Sequence, residues 1–407
     1  MKLTTLPGGL KVASRQMPGI ETAAIGLYTE AGSRHEAARL NGLAHLFEHM
    51  VFKGAGGRSA REISEAIEDV GGDLNACTER DGTSFTASVL AEHVPLAVEL
   101  LADLVLRPHF DPADLEREKD VVLQELGEAR DTPNDIIFDD LWSAAFNEQP
   151  LGRPVLGDEG SIEAIALTDL ADWRSERYRS GSMILVGAGK VDHDALVALA
   201  EERLAGLPQG AVEAPEPGRF TGGTRVGRGS SDQAHMTLGF PAPAQRDPDY
   251  FAARFFSDVV GGGMSSRLFQ KVREDRGLAY SVYSHLQPYS DAGLFYIYAA
   301  TARRESAAAA QLIEETLAEA VDGITQREVE RVRTQGRAGL LMSIESPWGQ
   351  VQYLARQLAV YGRLVDPSEV IAELEAVTLE QVREAGRKML AGPRARATIG
   401  FPAVRAA

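Results

Sequence analysis

Gly42-Leu43-Ala44-His45-Leu46-Phe47-Glu48-His49-Met50-Val51-Phe52 is the stretch on which the reading of this chain turns. Most of its positions are apolar, which predicts a buried helix over residues 41–52. His45 and His49 are four apart, one turn from each other on one face, so both imidazoles can reach a single metal ion. Glu48 sits beside them, where a carboxylate can take a proton from water. The order H-x-x-E-H mirrors the commoner H-E-x-x-H helix and recurs among zinc peptidases. With 8 histidines and 59 acidic residues in 407, chance produces roughly 0.02 such matches. The competing reading is a satisfied pair of core histidines. It would bury two imidazoles and a carboxylate in an apolar helix, which is expensive without a purpose.

A catalytic zinc needs a third protein ligand and an open position. Asp111-Pro112 predicts an N-cap and first-turn proline opening a second helix that runs on through Leu126. Glu118 and Glu125 lie seven apart on it and project from one face. Taken alone, such carboxylates usually form a solvated face.

Working outward, Ser59-Ala60-Arg61-Glu62 is a capping box opening a helix that Gly71-Gly72 ends. A hairpin follows, Asp73 to Glu79 and Thr83 to Leu90, turning at Arg80-Asp81-Gly82. Asn75 is, by itself, a polar residue on a strand. Cys77, the lone cysteine, is expected to pack as a small apolar side chain, since no Cys-His motif accompanies it. In the second half, Ser265 to Tyr280 reads as helix, glycine turn and strand. Arg273 and Tyr280 alone would be a surface arginine and a half-buried strand tyrosine.

Ala205 to Gly218 holds three prolines and three glycines near the midpoint and cannot continue a helix or central strand. It divides the chain into domains 1–208 and 222–407 joined by a linker, 209–221. The halves echo each other. The helix opened by Leu167-Thr168 leads into a strand at Met183–Gly187, and the helix opened by Val377-Thr378 leads into Ala395–Gly400. Ile25-Gly26-Leu27 likewise parallels Leu238-Gly239-Phe240. A repeat this long implies duplicated domains rather than a solenoid. Both halves mix strands and amphipathic helices, so the fold class is α+β: two homologous domains of mixed, mainly antiparallel sheet packed with helices. The second copy's helix, Phe251 to Asp258, carries no histidine and so no zinc ligands.

Net charge is −17, which argues against nucleic-acid binding and is compatible with basic peptides, although solubility alone accounts for it better. No apolar run reaches the 18 or so residues of a membrane span. The N-terminus lacks a signal-peptide core, and one cysteine cannot form an internal disulfide, so a cytoplasmic location is expected.

His45-Leu46-Phe47-Glu48-His49, followed by Glu125 in Val121-Val122-Leu123-Gln124-Glu125-Leu126, resembles the pitrilysin/insulin-degrading enzyme family. The short branch typified by mitochondrial processing peptidase and its bacterial relatives fits best in length. Ala31-Gly32-Ser33-Arg34, Gly71 to Ala76 and Pro150 to Gly157 extend the match. The resemblance implies a zinc metalloendopeptidase holding one Zn2+ per chain through His45, His49 and Glu125, with Glu48 as general base and Glu118 supporting the ligands. It implies an exposed edge strand whose Asn75 and Ala76 pair with the substrate backbone. It also implies an Arg273/Tyr280 pair that holds the substrate carbonyl. Glu79 and Asp81 hint at a taste for basic peptides. The family is a hollow clamshell of four such domains, of which this chain supplies two. A homodimer is therefore implied, each site joining one subunit's first half to the other's second half; a heterodimer with a related subunit is the alternative. Two rivals remain open from sequence: a non-catalytic scaffold subunit, though these typically lose ligands kept here, and a metal enzyme acting on small molecules.

Overall fold

The computed structural model describes residues 1–227 and 231–401. Residues 228–230 and the last six of the expected 222–407 domain lie outside the described residues. The strands are β1 (Lys2–Thr5), β2 (Lys11–Gln16), β3 (Thr22–Thr29), β4 (Gly54–Ala55), β5 (Arg58–Ser59), β6 (Asp73–Thr78), β7 (Thr83–Leu90), β8 (Met183–Gly189), β9 (Gly223–Val226), β10 (Gln233–Ala242), β11 (Ala279–Pro288), β12 (Gly293–Ala302) and β13 (Ala395–Ile399). Besides the short β4-β5 pair, they form a six-stranded sheet, β1-β2-β8-β3-β7-β6, and a five-stranded sheet, β11-β12-β10-β13-β9. The class is α+β, as expected.

Read from its far end, the second sheet repeats the first. Strands β9, β13, β10, β12 and β11 stand where β2, β8, β3, β7 and β6 stand. The directions match as well: β2-β8 and β9-β13 are parallel, and the remaining corresponding pairs are antiparallel. The faint echo in the sequence is thus a duplication of topology.

The compact units are not consecutive in the chain. One comprises Met1–Leu126, Pro154–Pro215 and Leu340–Val365; the other comprises Gly127–Arg153, Glu216–Gly339 and Asp366 onward. Each sheet is covered by a helix from the opposite half of the sequence. Helix Pro347–Tyr361 packs on β8, β3 and β2, and helix Pro133–Ala145 packs on β13, β10 and β9. Two equivalent glycines make room for them. A Cβ on Gly26 would stand 2.5 Å from the Tyr28 ring and 2.9 Å from Val351 of the covering helix; one on Gly239 would stand 3.0 Å from Leu141 of the other. A glycine within a strand commonly marks such a close approach.

In the first unit, Leu46, Phe47, Met50 and Val51 are fully buried in the core with Phe85, Val98 and Leu101. This anchors the helix Leu43–Val51 and turns its His45, Glu48 and His49 toward the half-exposed side. Strand β6 forms the sheet's edge beside it.

Candidate metal centre

The motif helix, Leu43–Val51, starts abruptly at Gly42, whose φ of 96° is left-handed. A Cβ there would meet Ile162 and the Leu156 carbonyl, so glycine is required on both counts. The amides left over at this terminus are met by a buried carboxylate. Glu36 accepts from Gly42 N–H at 2.9 Å, Ala44 N–H at 2.7 Å and the Asn41 side chain at 2.8 Å. An anion at a helix N-terminus is favoured by both the orphan amides and the dipole. Glu36 escaped the sequence reading because it lies outside any local capping pattern, six residues ahead of the turn.

His45 and His49 face the same side of the helix, their ring centroids 4.6 Å apart. Helix Pro112–Asp131 brings Glu125 to them. Its Oε2 stands 3.8 Å from His45 Nε2 and 3.7 Å from His49 Nε2, and the three ligand atoms all lie within 4.8 Å of one another. Three donors about 2.1 Å from one tetrahedral ion stand about 3.4 Å apart, so the set fits zinc with a small inward adjustment. Two imidazoles and one carboxylate are a known catalytic zinc ligand set that leaves a fourth position open. Burial, followed by the neighbouring His49, pushes the His45 imidazolium down to about 4. The ring is therefore neutral near pH 7, as a metal ligand must be. Among the described residues its buried Nδ1 finds no hydrogen-bond partner.

His49 is held differently. Its Nδ1 lies 3.1 Å from Glu118 Oε2, which directs Nε2 toward Glu125. Glu118 is buried, and Lys53 Nζ reaches its other oxygen at 2.8 Å. Such carboxylate–histidine contacts fix ring orientation and raise basicity. Lys53, four residues beyond His49, was not singled out in the sequence, although its spacing places it one further turn along the same face.

Glu48 is half-buried. Burial raises its pKa, while hydrogen bonds from Thr78 and the charge of His49 oppose that rise. Thr78 Oγ1 donates to Glu48 Oε2 at 2.5 Å. Thr78 is the last residue of β6, the edge strand that carries Asn75 and Ala76. Alternation exposes Asp73, Asn75, Cys77 and Glu79 together. The Ala76 N–H is taken by Asn75 Oδ1 at 2.8 Å, not by β7, so it lies on the open side of the strand.

Two expectations about this strand need revision. Cys77 does not pack as a small apolar residue. It is exposed, because period-2 alternation gives it the face of Asn75 rather than that of the core. Partial burial, then Glu79 and Glu48, push its thiol up, which suits neither a nucleophile nor a ligand. Asp81, at the hairpin turn, is no free recognition charge either: it pairs at 2.8 Å with Arg34, whose side chain is fully buried.

Arg273 and Tyr280 lie in the other unit. Arg273 sits on a π-helical segment, Phe269–Asp275, and Tyr280 sits on β11, the edge strand equivalent to β6. The guanidinium carbon is 4.8 Å from the Phe269 ring centroid and 5.9 Å from that of Tyr280. Tyr280 is 77% exposed, against the half-buried strand residue of the competing reading. The pair is adjacent and open to solvent. The helix that follows β10, Tyr250–Gly261, carries no histidine.

Comparison with known proteins accords with this geometry. Residues 11–159 match the family described as Insulinase (Peptidase family M16), and residues 164–335 match the peptidase M16 inactive domain. An uncharacterized zinc protease of Mycobacterium leprae is 38% identical over 394 residues, spanning 95% of this chain and 88% of that protein. One of Mycobacterium tuberculosis is 37% identical over 404 residues, 98% of this chain and 92% of that protein. A crystal structure from Pseudomonas fluorescens, described as a peptidase M16 inactive domain, shares the fold with a TM-score of 0.91 at 24% identity, covering 99% of this chain and 98% of that one. The chain belongs to peptidase family M16, the insulinase family. It is a zinc metallopeptidase of that family.

Proposed function

We propose that this chain is a zinc metalloendopeptidase that hydrolyses peptides or unfolded polypeptide segments, working in the cytoplasm as a homodimer with one zinc ion per chain. The observation that carries the reading is the convergence of His45, His49 and Glu125 within 4.8 Å, with Glu48 adjacent in the same helix. Those three side chains would hold the ion, which when bound supplies a Lewis acid that acidifies water and polarises the scissile carbonyl. Glu48 takes the proton of the attacking water and passes it to the leaving amine. Glu118 keeps His49 in the orientation and tautomer that present Nε2. Asn75 and Ala76 offer the open edge of β6 to an extended peptide, which gives affinity through main-chain hydrogen bonds. Arg273 and Tyr280 donate to a substrate carbonyl, where negative charge develops. In this reading residues 1–208 bear the metal, 209–221 link, and 222–407 supply the Arg/Tyr pair. With Asp81 engaged by Arg34, any preference for basic peptides falls to the exposed Glu79.

Glu48→Gln tests the assignment. The variant keeps its shape and is expected to bind zinc one-to-one while turnover of a fluorogenic peptide falls by about 10²–10⁴. A chelator abolishes wild-type turnover and zinc restores it. Undiminished turnover in the variant would remove Glu48 as the base, and chelator-insensitive cleavage would remove the metal.

A further inference from the structure

The strand proposed to receive substrate also touches the proposed base. Thr78 ends β6, and its hydroxyl lies 2.5 Å from Glu48 Oε2. A threonine hydroxyl has one proton to give, and the rival acceptor, the Ala44 carbonyl, is farther away at 3.5 Å. The neighbouring Thr83 spends its own proton on the Ala31 carbonyl at 2.8 Å and lies 3.4 Å from Thr78 Oγ1. It leaves the Thr78–Glu48 bond undisturbed. The Thr78 main-chain N–H also faces the carboxylate. The carboxylate of Glu48 is therefore tied to the strand end, with the hydroxyl on Oε2.

We propose that Thr78 is a positioning residue for Glu48. Its hydroxyl anchors Oε2 so that Oε1 faces the metal centre, and it makes the orientation of the base depend on the same edge strand that docks the peptide. The inference rests on the reading of Glu48 as general base. A base that swings through its rotamers spends only part of its time within reach of the proton it must remove. A displacement of about 1 Å in a catalytic group can cost about 10² in rate. A peptide added to the β6 edge pairs with Asn75 and Ala76, three and two residues from Thr78, and stiffens the strand end that holds the carboxylate. Binding and base alignment thus share one element. Because the main-chain N–H survives replacement by Val, Ala or Ser, loss of the hydroxyl weakens the anchor without abolishing it.

The test compares Thr78→Val, Thr78→Ala and Thr78→Ser, with Glu48→Gln as reference, using purified full-length protein loaded with zinc. For Val and Ala, kcat is expected to fall about ten-fold, with KM and zinc affinity, read by competition with a chromophoric chelator, both within about two-fold of wild type. Ser, which restores the donor, is expected to recover kcat to within about three-fold. The two hydroxyl-free variants guard against misfolding of either one, and native zinc affinity certifies the fold of each. Val and Ala at wild-type kcat would overturn the proposal, as would Ser impaired as deeply as Val, or a loss that tracks zinc release. An active Glu48→Gln would instead overturn the assignment of the base itself. An inactive Glu48→Gln beside a normal Thr78→Val would sink only the inference about Thr78.

Discussion

His35 sits one residue before the carboxylate that caps the motif helix, and it is buried, with Nδ1 3.1 Å from the Gly32 N–H. Burial pushes its imidazolium down to about 4. The Gly32 backbone and Asp81 oppose that fall, and Arg177 and Arg34 add to it. An unfolded histidine binds its proton near pH 6.5. Between pH 6.5 and 4 the unfolded chain therefore binds more protons at this position than the folded one does. Folded-state stability is full above pH 6.5, falls as pH drops through this window, and levels off below 4. The span of about 2.5 units corresponds to about 3 kcal/mol. His35→Asn keeps a side-chain acceptor for Gly32 and has no titration. Its urea midpoint is expected to change less between pH 7 and pH 4.5 than that of wild type, and identical pH slopes would show that His35 charges freely in the folded state. His45 is likewise pushed down to about 4; because it titrates in both proteins, the comparison isolates His35.

Among the elements, those written in local chemistry were legible. The Ser59–Glu62 capping box opens a helix at Ala60–Glu68, the proline at 112 opens Pro112–Asp131, and the second hairpin strand spans Thr83–Leu90 as read. His45 and His49 were legible because both ligands lie within one helical turn. Glu125 needed the family resemblance, since seven-residue spacing cannot separate a ligand from a solvated face. What stayed hidden depends on contacts far apart in sequence: Glu36 beneath the motif helix, Lys53 on Glu118, Thr78 on Glu48, and above all the exchange of covering helices. Helix Pro347–Tyr361 looks like an ordinary amphipathic helix of the second half, yet its Val351, Leu354 and Leu358 are buried and its packing partners are strands of the first sheet. Burying three such side chains stabilises by several kcal/mol, at about 1.5–3 kcal/mol each. A fragment of residues 1–208 lacks that helix and leaves its own Pro133–Ala145 without the strands it covers. It is expected to aggregate or bind a hydrophobic dye when expressed alone, and to become soluble and zinc-binding when residues 209–407 are co-expressed. A soluble, monomeric 1–208 fragment that binds zinc unaided would show that the exchange is dispensable.

For the molecule as a whole, the proposed homodimer must form against its own charge. Each chain carries −17, so two copies approach with like net charge, and long-range repulsion opposes the encounter. Raising ionic strength from about 0.01 to 0.15 M shortens the screening length from about 30 to 8 Å. The long-range repulsion is thereby largely screened, while contacts made by apolar burial remain. Association is therefore expected to tighten with salt over this range. Light scattering should then give twice the 43.9 kDa chain mass at lower protein concentration in 0.15 M salt than in 0.01 M. Weakening with salt would mean that complementary charges hold the interface. Full peptidase activity in a fraction whose mass is that of one chain would refute the dimer as the working unit.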